Sequence, residues 1–138
     1  MRRISVVACP LVLTLFLCAC NGLNAINRQD YSGTPTVYAV VNKQPNPLLV
    51  GCYLRSRPSE FNRPNSYEYC LVKSGDRYAM FYFMMDGKTK AMFKDWTDAV
   101  IDGDSVTSNH DASRFFVKDG EVWQTTTNGG PYHMIRMH

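Results

Sequence analysis

RYAMFYFMM at residues 77–85, followed by Asp86-Gly87 and by KTKAMFKDW at residues 88–96, is the stretch that decides the fold. An apolar and aromatic run of this length, bounded by Ser74-Gly75-Asp76 on one side and Asp86-Gly87 on the other, reads as a β-strand. Asp-Gly tolerates the positive φ that a two-residue hairpin turn demands, so the chain is expected to fold back here and return along 88–96. Residues 78–85 are apolar at both parities. The strand is therefore expected to lie at the centre of a sheet, or to carry an exposed apolar patch.

The same signals recur outward from this hairpin. Runs at 36–42 (TVYAVVN) and 48–55 (LLVGCYLR) are separated by the breaker Gln44-Pro45-Asn46-Pro47, and SYEYCLVK at 66–73 precedes the central strand. After it come 99–101 and 105–108 around Asp102-Gly103-Asp104, then 114–118 and 121–127 around Asp119-Gly120. A last strand at 132–137 follows Asn128-Gly129-Gly130-Pro131. No segment keeps a 3.6-residue apolar period. Eight or nine short strands joined by tight turns predict an all-β antiparallel meander. It must hide its edges by closing into an eight-stranded barrel or, as the alternative, by folding into a β-sandwich.

The other end of the chain supplies an address. Arg2 and Arg3 precede a largely apolar stretch at 4–17, and Leu17-Cys18-Ala19-Cys20 places a small residue directly before a cysteine. This resembles a bacterial lipoprotein signal peptide. The resemblance implies cleavage before Cys20, a diacylglycerol on its thiol and an acyl chain such as palmitate on its amine. Pro10 interrupts the apolar run, which is short of the ~20 residues that span a bilayer, so a retained transmembrane helix is the weaker reading. An ordinary secretory signal is the other alternative. On this basis 1–19 is a leader, 20–35 a flexible tether rich in Asn, Gly, Ser, Thr and Pro, and 36–138 a single β domain. Asn21, in place of an aspartate resembling an inner-membrane retention signal, points to the outer membrane with the domain facing the periplasm.

Removing the leader changes what composition and cysteines mean. The chain has 15 Lys plus Arg against 12 Asp plus Glu, and loss of Arg2 and Arg3 leaves thirteen against twelve. With no Lys/Arg-rich run, no nucleic-acid partner is expected. Cys9 and Cys18 leave with the leader and Cys20 is lipidated. That leaves Cys52 and Cys70, which an exported domain is expected to join. Two isolated cysteines do not make a zinc site.

Three candidate recognition features follow. The first is an outward stripe of Tyr78, Met80, Tyr82 and Met84 on the central strand, although the sequence favours burial of both parities under a loop or the N-terminal strand. The second is the loop inside the disulfide, where Arg55, Arg57 and Arg63 flank Glu60 and Phe61 and where Pro58 and Pro64 stiffen the backbone. The third is Ser74-Gly75-Asp76-Arg77-Tyr78, an SGxxY pattern, together with Gly87-Lys88 after the aromatic strand. These residues are similar to the loops of membrane-bound lysozyme inhibitors, small lipid-anchored β-barrels. That resemblance implies that Ser74 and Lys88 enter a lysozyme cleft; Arg77, within the same pattern, is a further candidate partner-binding residue.

No chemistry is expected. Ser108, His110 and Asp111 are too close in sequence to align as a triad, and no nucleophile elbow or phosphate-binding loop is present. His133, Met134, Met137 and His138 offer soft ligands, but strand alternation splits them between faces, so no metal is assigned. No cofactor is implied. The expected protein is a non-catalytic, lipid-anchored binding or assembly accessory with an envelope protein partner, or alternatively a lysozyme inhibitor.

Overall fold

A computed structural model describes residues 25–55 and 65–137. Cys20, Arg57, Glu60, Phe61, Arg63 and His138 lie outside the described residues. The strands are β1 Val40–Lys43, β2 Gly51–Arg55, β3 Ser66–Ser74, β4 Arg77–Met85, β5 Met92–Thr97, β6 Ala99–Asp102, β7 Ser105–Ser108, β8 Arg114–Lys118, β9 Glu121–Thr126 and β10 Gly129–Arg136. A short helix, α1 Arg28–Tyr31, and a 3-10 turn at Pro47–Leu49 complete the described elements.

The fold is all-β and barrel-like. Hydrogen-bonded neighbours run β1-β6-β7-β8-β9-β10-β2-β3-β4-β5 in one curled sheet. Asp98 alone separates β5 from β6, so the chain itself joins the β5 end of that order to the strands beside β7. With β5 and β6 taken as one bent strand, eight walls follow one another around the barrel. Alternation survives the bend, because Thr97, Ala99 and Ile101 are all buried. The meander expectation misses two non-local pairings: β10 closes against β2, and β1 lies parallel to β6. The residue before β1 reaches across to the central strand, Ala39 N–H donating to Tyr78 O at 2.8 Å.

The turns between successive strands follow from local backbone preference. Asp119 and Gly120 both have positive φ, 55° and 78°, which is the requirement of a type I′ hairpin turn. Gly75 and Gly103 begin two further two-residue turns at φ 65° and 61°. Asp86-Gly87 corrects the expectation of a tight turn, because Met85 pairs with Met92 and leaves 86–91 as a loop. The Asp86 side chain is the reason. Its Oδ1 accepts from Lys88 N–H, Thr89 N–H and Thr89 Oγ1–H, which holds a wider loop than the backbone alone would choose. The strand read at 48–55 likewise begins only at Gly51, because Asn46 caps the Leu48 N–H and Pro47 starts a 3-10 turn.

Both faces of β4 are buried, which is why a half-solvated pattern is missing from its sequence. Tyr78, Met80 and Tyr82 point into the barrel with Tyr53, Tyr69, Leu71, Ile101, Val106 and Phe115, so they form core and not the outward stripe. Phe81 and Phe83 point outward with the Cys52–Cys70 disulfide, and Ile26 covers them. Residues 25–35 therefore depart from the tether reading. Ala25 and Ile26 N–H groups each donate to the buried Glu68 carboxylate at 2.8 Å. Asn27 and Asp30 form a capping box on α1, and Lys94 on β5 pairs with Asp30 at 2.8 Å. That pair and the Asn27 N–H outweigh partial desolvation and hold the Asp30 carboxyl below the usual carboxylate range. Composition reads this stretch as a linker because its apolar residues keep no period. Ile26 works as a single anchor, which needs none.

Candidate functional site

The barrel has two unlike ends. At one, the two-residue turns after β3, β6 and β8 meet the connection from β1 to β2, and the 3-10 turn fills the opening. Leu49 is fully buried, Tyr69 Oη donates to Leu49 O at 3.1 Å, and Tyr53 Oη donates to Leu48 O. Asn46 ties this plug to the β6–β7 turn through Asp104 Oδ1 at 2.8 Å and Gly103 O at 2.8 Å. Arg136 finishes the seal. Its guanidinium donates to Tyr53 Oη and to Val50 O, each at 3.3 Å.

The other end carries the loop 86–91 and the connection 109–113, and its interior is polar. Tyr82 Oη donates to Asp111 Oδ2 at 2.9 Å and lies 3.1 Å from Ser113 Oγ. Ser113 Oγ donates to the same carboxylate at 2.8 Å, and Gln124 Nε2 donates to Ser113 Oγ at 3.4 Å. Burial and the adjacent Asp111 carboxylate push the Tyr82 phenol far above its usual range, so it stays a neutral donor. Gln124 is fully buried, and among the described residues its Oε1 has no hydrogen-bond partner.

Around this polar floor stands a half-buried layer. Arg55 places its guanidinium 3.2 Å from the Tyr132 ring centroid and 5.2 Å from that of Tyr67, while its buried Nε has no hydrogen-bond partner among the described residues. Phe93 stacks on His110 at 3.7 Å, between the inward side of β5 and the 109–113 connection. A fixed cation, stacked aromatics and an unused buried acceptor can hold a polar or anionic group and can pack against a flat one.

The residues singled out from sequence are dispersed. Ser74 closes β3 at the plugged end, whereas Lys88 is exposed in the loop at the opposite end of β4. A nine-residue strand lies between them, roughly 30 Å at the usual strand rise, so the two do not share a site. Arg77 is exposed, with its guanidinium 3.5 Å from the Tyr38 ring centroid. Cys52 and Cys70 are joined, as expected. Ser108, His110 and Asp111 have separate tasks: the Ser108 hydroxyl accepts the His110 backbone N–H, His110 stacks on Phe93, and Asp111 bonds Tyr82 and Ser113. Met134 is buried in the barrel, while His133 lies beside Trp123 on the wall. Among the described residues no group of three metal-binding side chains converges.

Sequence reasoning missed Glu68, Tyr82 as a polar anchor, Ser113, Gln124 and Arg136. Parity holds a signal for two of them. Gln124 follows the inward Val122 by two positions, and Glu68 occupies an outward position on a strand otherwise apolar between Tyr67 and Val72. No protein-family model, no curated protein and no solved structure matches this chain.

Proposed function

We propose that this chain is a lipid-anchored outer-membrane lipoprotein, held through Cys20, whose periplasm-facing β domain is a non-catalytic binding or assembly accessory for an envelope protein partner. The observation that carries the binding part is the asymmetry of the barrel. One end is closed by Leu49, Tyr53 and Tyr69, while the other gathers Arg55, Tyr67, Tyr132, Phe93 and His110 over a polar floor that keeps one unused acceptor, Gln124 Oε1, among the described residues. Aromatics that range from the buried Tyr67 through the half-buried Phe93 and Tyr132, beside an arginine, are the composition of recognition surfaces, because they supply contact area at small entropic cost. The disulfide supports the compartment, since such bonds persist where the surroundings are oxidising. The alternative reading, a lysozyme inhibitor, draws less support, because Ser74 and Lys88 stand beyond opposite ends of β4.

The test is a crosslinked pull-down of the tagged full chain from envelopes, with Cys20→Ala and Arg55→Ala variants. A discrete envelope protein retained by the parent and lost with Arg55→Ala supports the reading. Retention of the same material by all three chains refutes it.

A further inference from the structure

The barrel wall parts between β9 and β10. Their ladder pairs Tyr132 with Gln124 and His133 with Trp123, and then ends. Continuing the register would place Met134 opposite Val122, but from Met134 onward β10 pairs only with β2. The two strands therefore diverge from the His133–Trp123 pair toward Gly120 and Arg136, and a wedge opens between them. It encloses a groove of about 280 Å³ with Leu48 and Tyr53 at its base and Val122, Met134 and Ile135 along its sides.

Two features distinguish this wedge from a packing gap. Leu48 and Ile135, two of the four large hydrophobic residues left exposed among the described residues, both line it, at 37% and 46% exposure. Stray exposed apolar residues are ordinary, but a pair in one groove beside a buried Met134 and Val122 makes a continuous apolar surface. At the wide end stands Arg136. Two of its five donors go to Tyr53 Oη and Val50 O, which fix the guanidinium plane, and among the described residues no carboxylate pairs with it. Gly51 makes room for this placement: a Cβ there would lie 3.0 Å from Arg136 Nη2. Glu121 also lines the groove, with its carboxylate 3.5 Å from His133 Nε2 and not on Arg136.

We infer that the β9–β10 wedge binds a medium-chain carboxylic acid, with its carboxylate on Arg136 and its alkyl chain directed toward Val122 and Met134. The shape and charge order match: apolar and narrow at one end, cationic and wide at the other. The volume sets the size. At about 30 Å³ for each water-sized group, the groove takes roughly nine to ten heavy atoms, which is the alkyl chain of a decanoate whose carboxylate stands at the rim on Arg136, and far fewer than a phospholipid carries. A guanidinium with free donors beside an apolar floor favours a bidentate carboxylate over a neutral head group. This site is independent of the Arg55 layer.

The experiment is calorimetric titration of the purified full chain, disulfide intact, with decanoate, decanol and decylamine. Decanoate is expected to bind, with decanol and decylamine at least about tenfold weaker, the scale of a charge-assisted hydrogen bond. Arg136→Gln should weaken decanoate to the level of decanol, and Ile135→Asp should abolish binding of both. Gly51→Ala should act like Arg136→Gln by displacing the guanidinium, and Lys88→Ala should leave affinity unchanged. Urea melts of each variant establish that it is folded. Equal binding of decanoate and decanol, full affinity in folded Arg136→Gln, or no binding of any of the three probes would each overturn the inference. Binding of an extended peptide in preference to decanoate would also overturn it.

Discussion

The plugged end and the polar end of this barrel are built from the same strands, yet they solve opposite problems. The plugged end uses two-residue turns whose positive-φ residues let strands return at once. What opening remains is filled by Leu49, and two tyrosine hydroxyls satisfy the carbonyls it brings inside. The polar end has a two-residue turn between β9 and β10 but also the longer connections 86–91 and 109–113, and the second introduces Asp111 and Ser113 into the interior, where Tyr82 and Gln124 meet them. Short turns leave no room for such side chains. The contrast shows apolar packing filling the barrel at the plugged end and polar side chains entering it where a longer connection turns inward.

The sharpest way to break the contrast is at the plug. Leu49→Ala removes a fully buried side chain that cannot be replaced by collapse of the short turns around it. It should cost about 3 kcal/mol, read as a lower urea midpoint at unchanged m-value. The disulfide lies on the outer wall between the ends, with a sequence separation of 18, so Cys52→Ser with Cys70→Ser should cost about 3 kcal/mol through unfolded-state entropy. Amide shift changes should stay with the residues beside Cys52 and Cys70 and leave the 46–49 turn and the 109–113 connection unchanged.

Tyr82→Phe sharpens the comparison from the polar side. It deletes the donor to Asp111 while keeping the ring packed on Phe115, and should cost about 2 kcal/mol, with chemical-shift changes confined to 109–113 and Gln124. Equal changes at the plug would show that the two ends are one cooperative unit. The smallest effect is that of acid. Hydrogen bonds from Thr89 and Lys88 hold the Asp86 carboxyl below its usual value, and Lys94 does so for Asp30. A carboxylate whose folded pKa is depressed contributes stability that is complete above its unfolded value of 3.8 and is lost as pH falls through the folded one. Hydrogen exchange should therefore accelerate in 86–91 and 27–31 below about pH 4, with Asp86→Asn removing the first of these and Asp30→Asn the second.

Legibility follows the range of the forces involved. β4 has the bounds that its apolar run and flanking turns indicate, and Asp119-Gly120 turns where its steric preference says it should, because those preferences act within a few residues. The apolar pair Leu48-Leu49 misleads, since Asn46 and Pro47 convert a strand-like pair into a 3-10 turn. Ile26 is misread because a single anchoring residue carries no period. The recognition features suffer most: Ser74 and Lys88 sit close to one strand's two ends, and no local pattern reports that this strand spans the barrel.

By itself the sequence determined the all-β class, most of the turns, the buried character of both faces of β4 and the partnership of Cys52 with Cys70. The tertiary structure decided which parity of β4 faces the interior, that β10 closes on β2 while parting from β9, that β1 runs parallel to β6, and that Glu68 secures the N-terminal segment. The division has a physical cause. Period and turn geometry are set by sterics between neighbouring residues, whereas parity, closure and the wedge beside Arg136 depend on pairings between strands that can lie some eighty residues apart, such as β2 and β10.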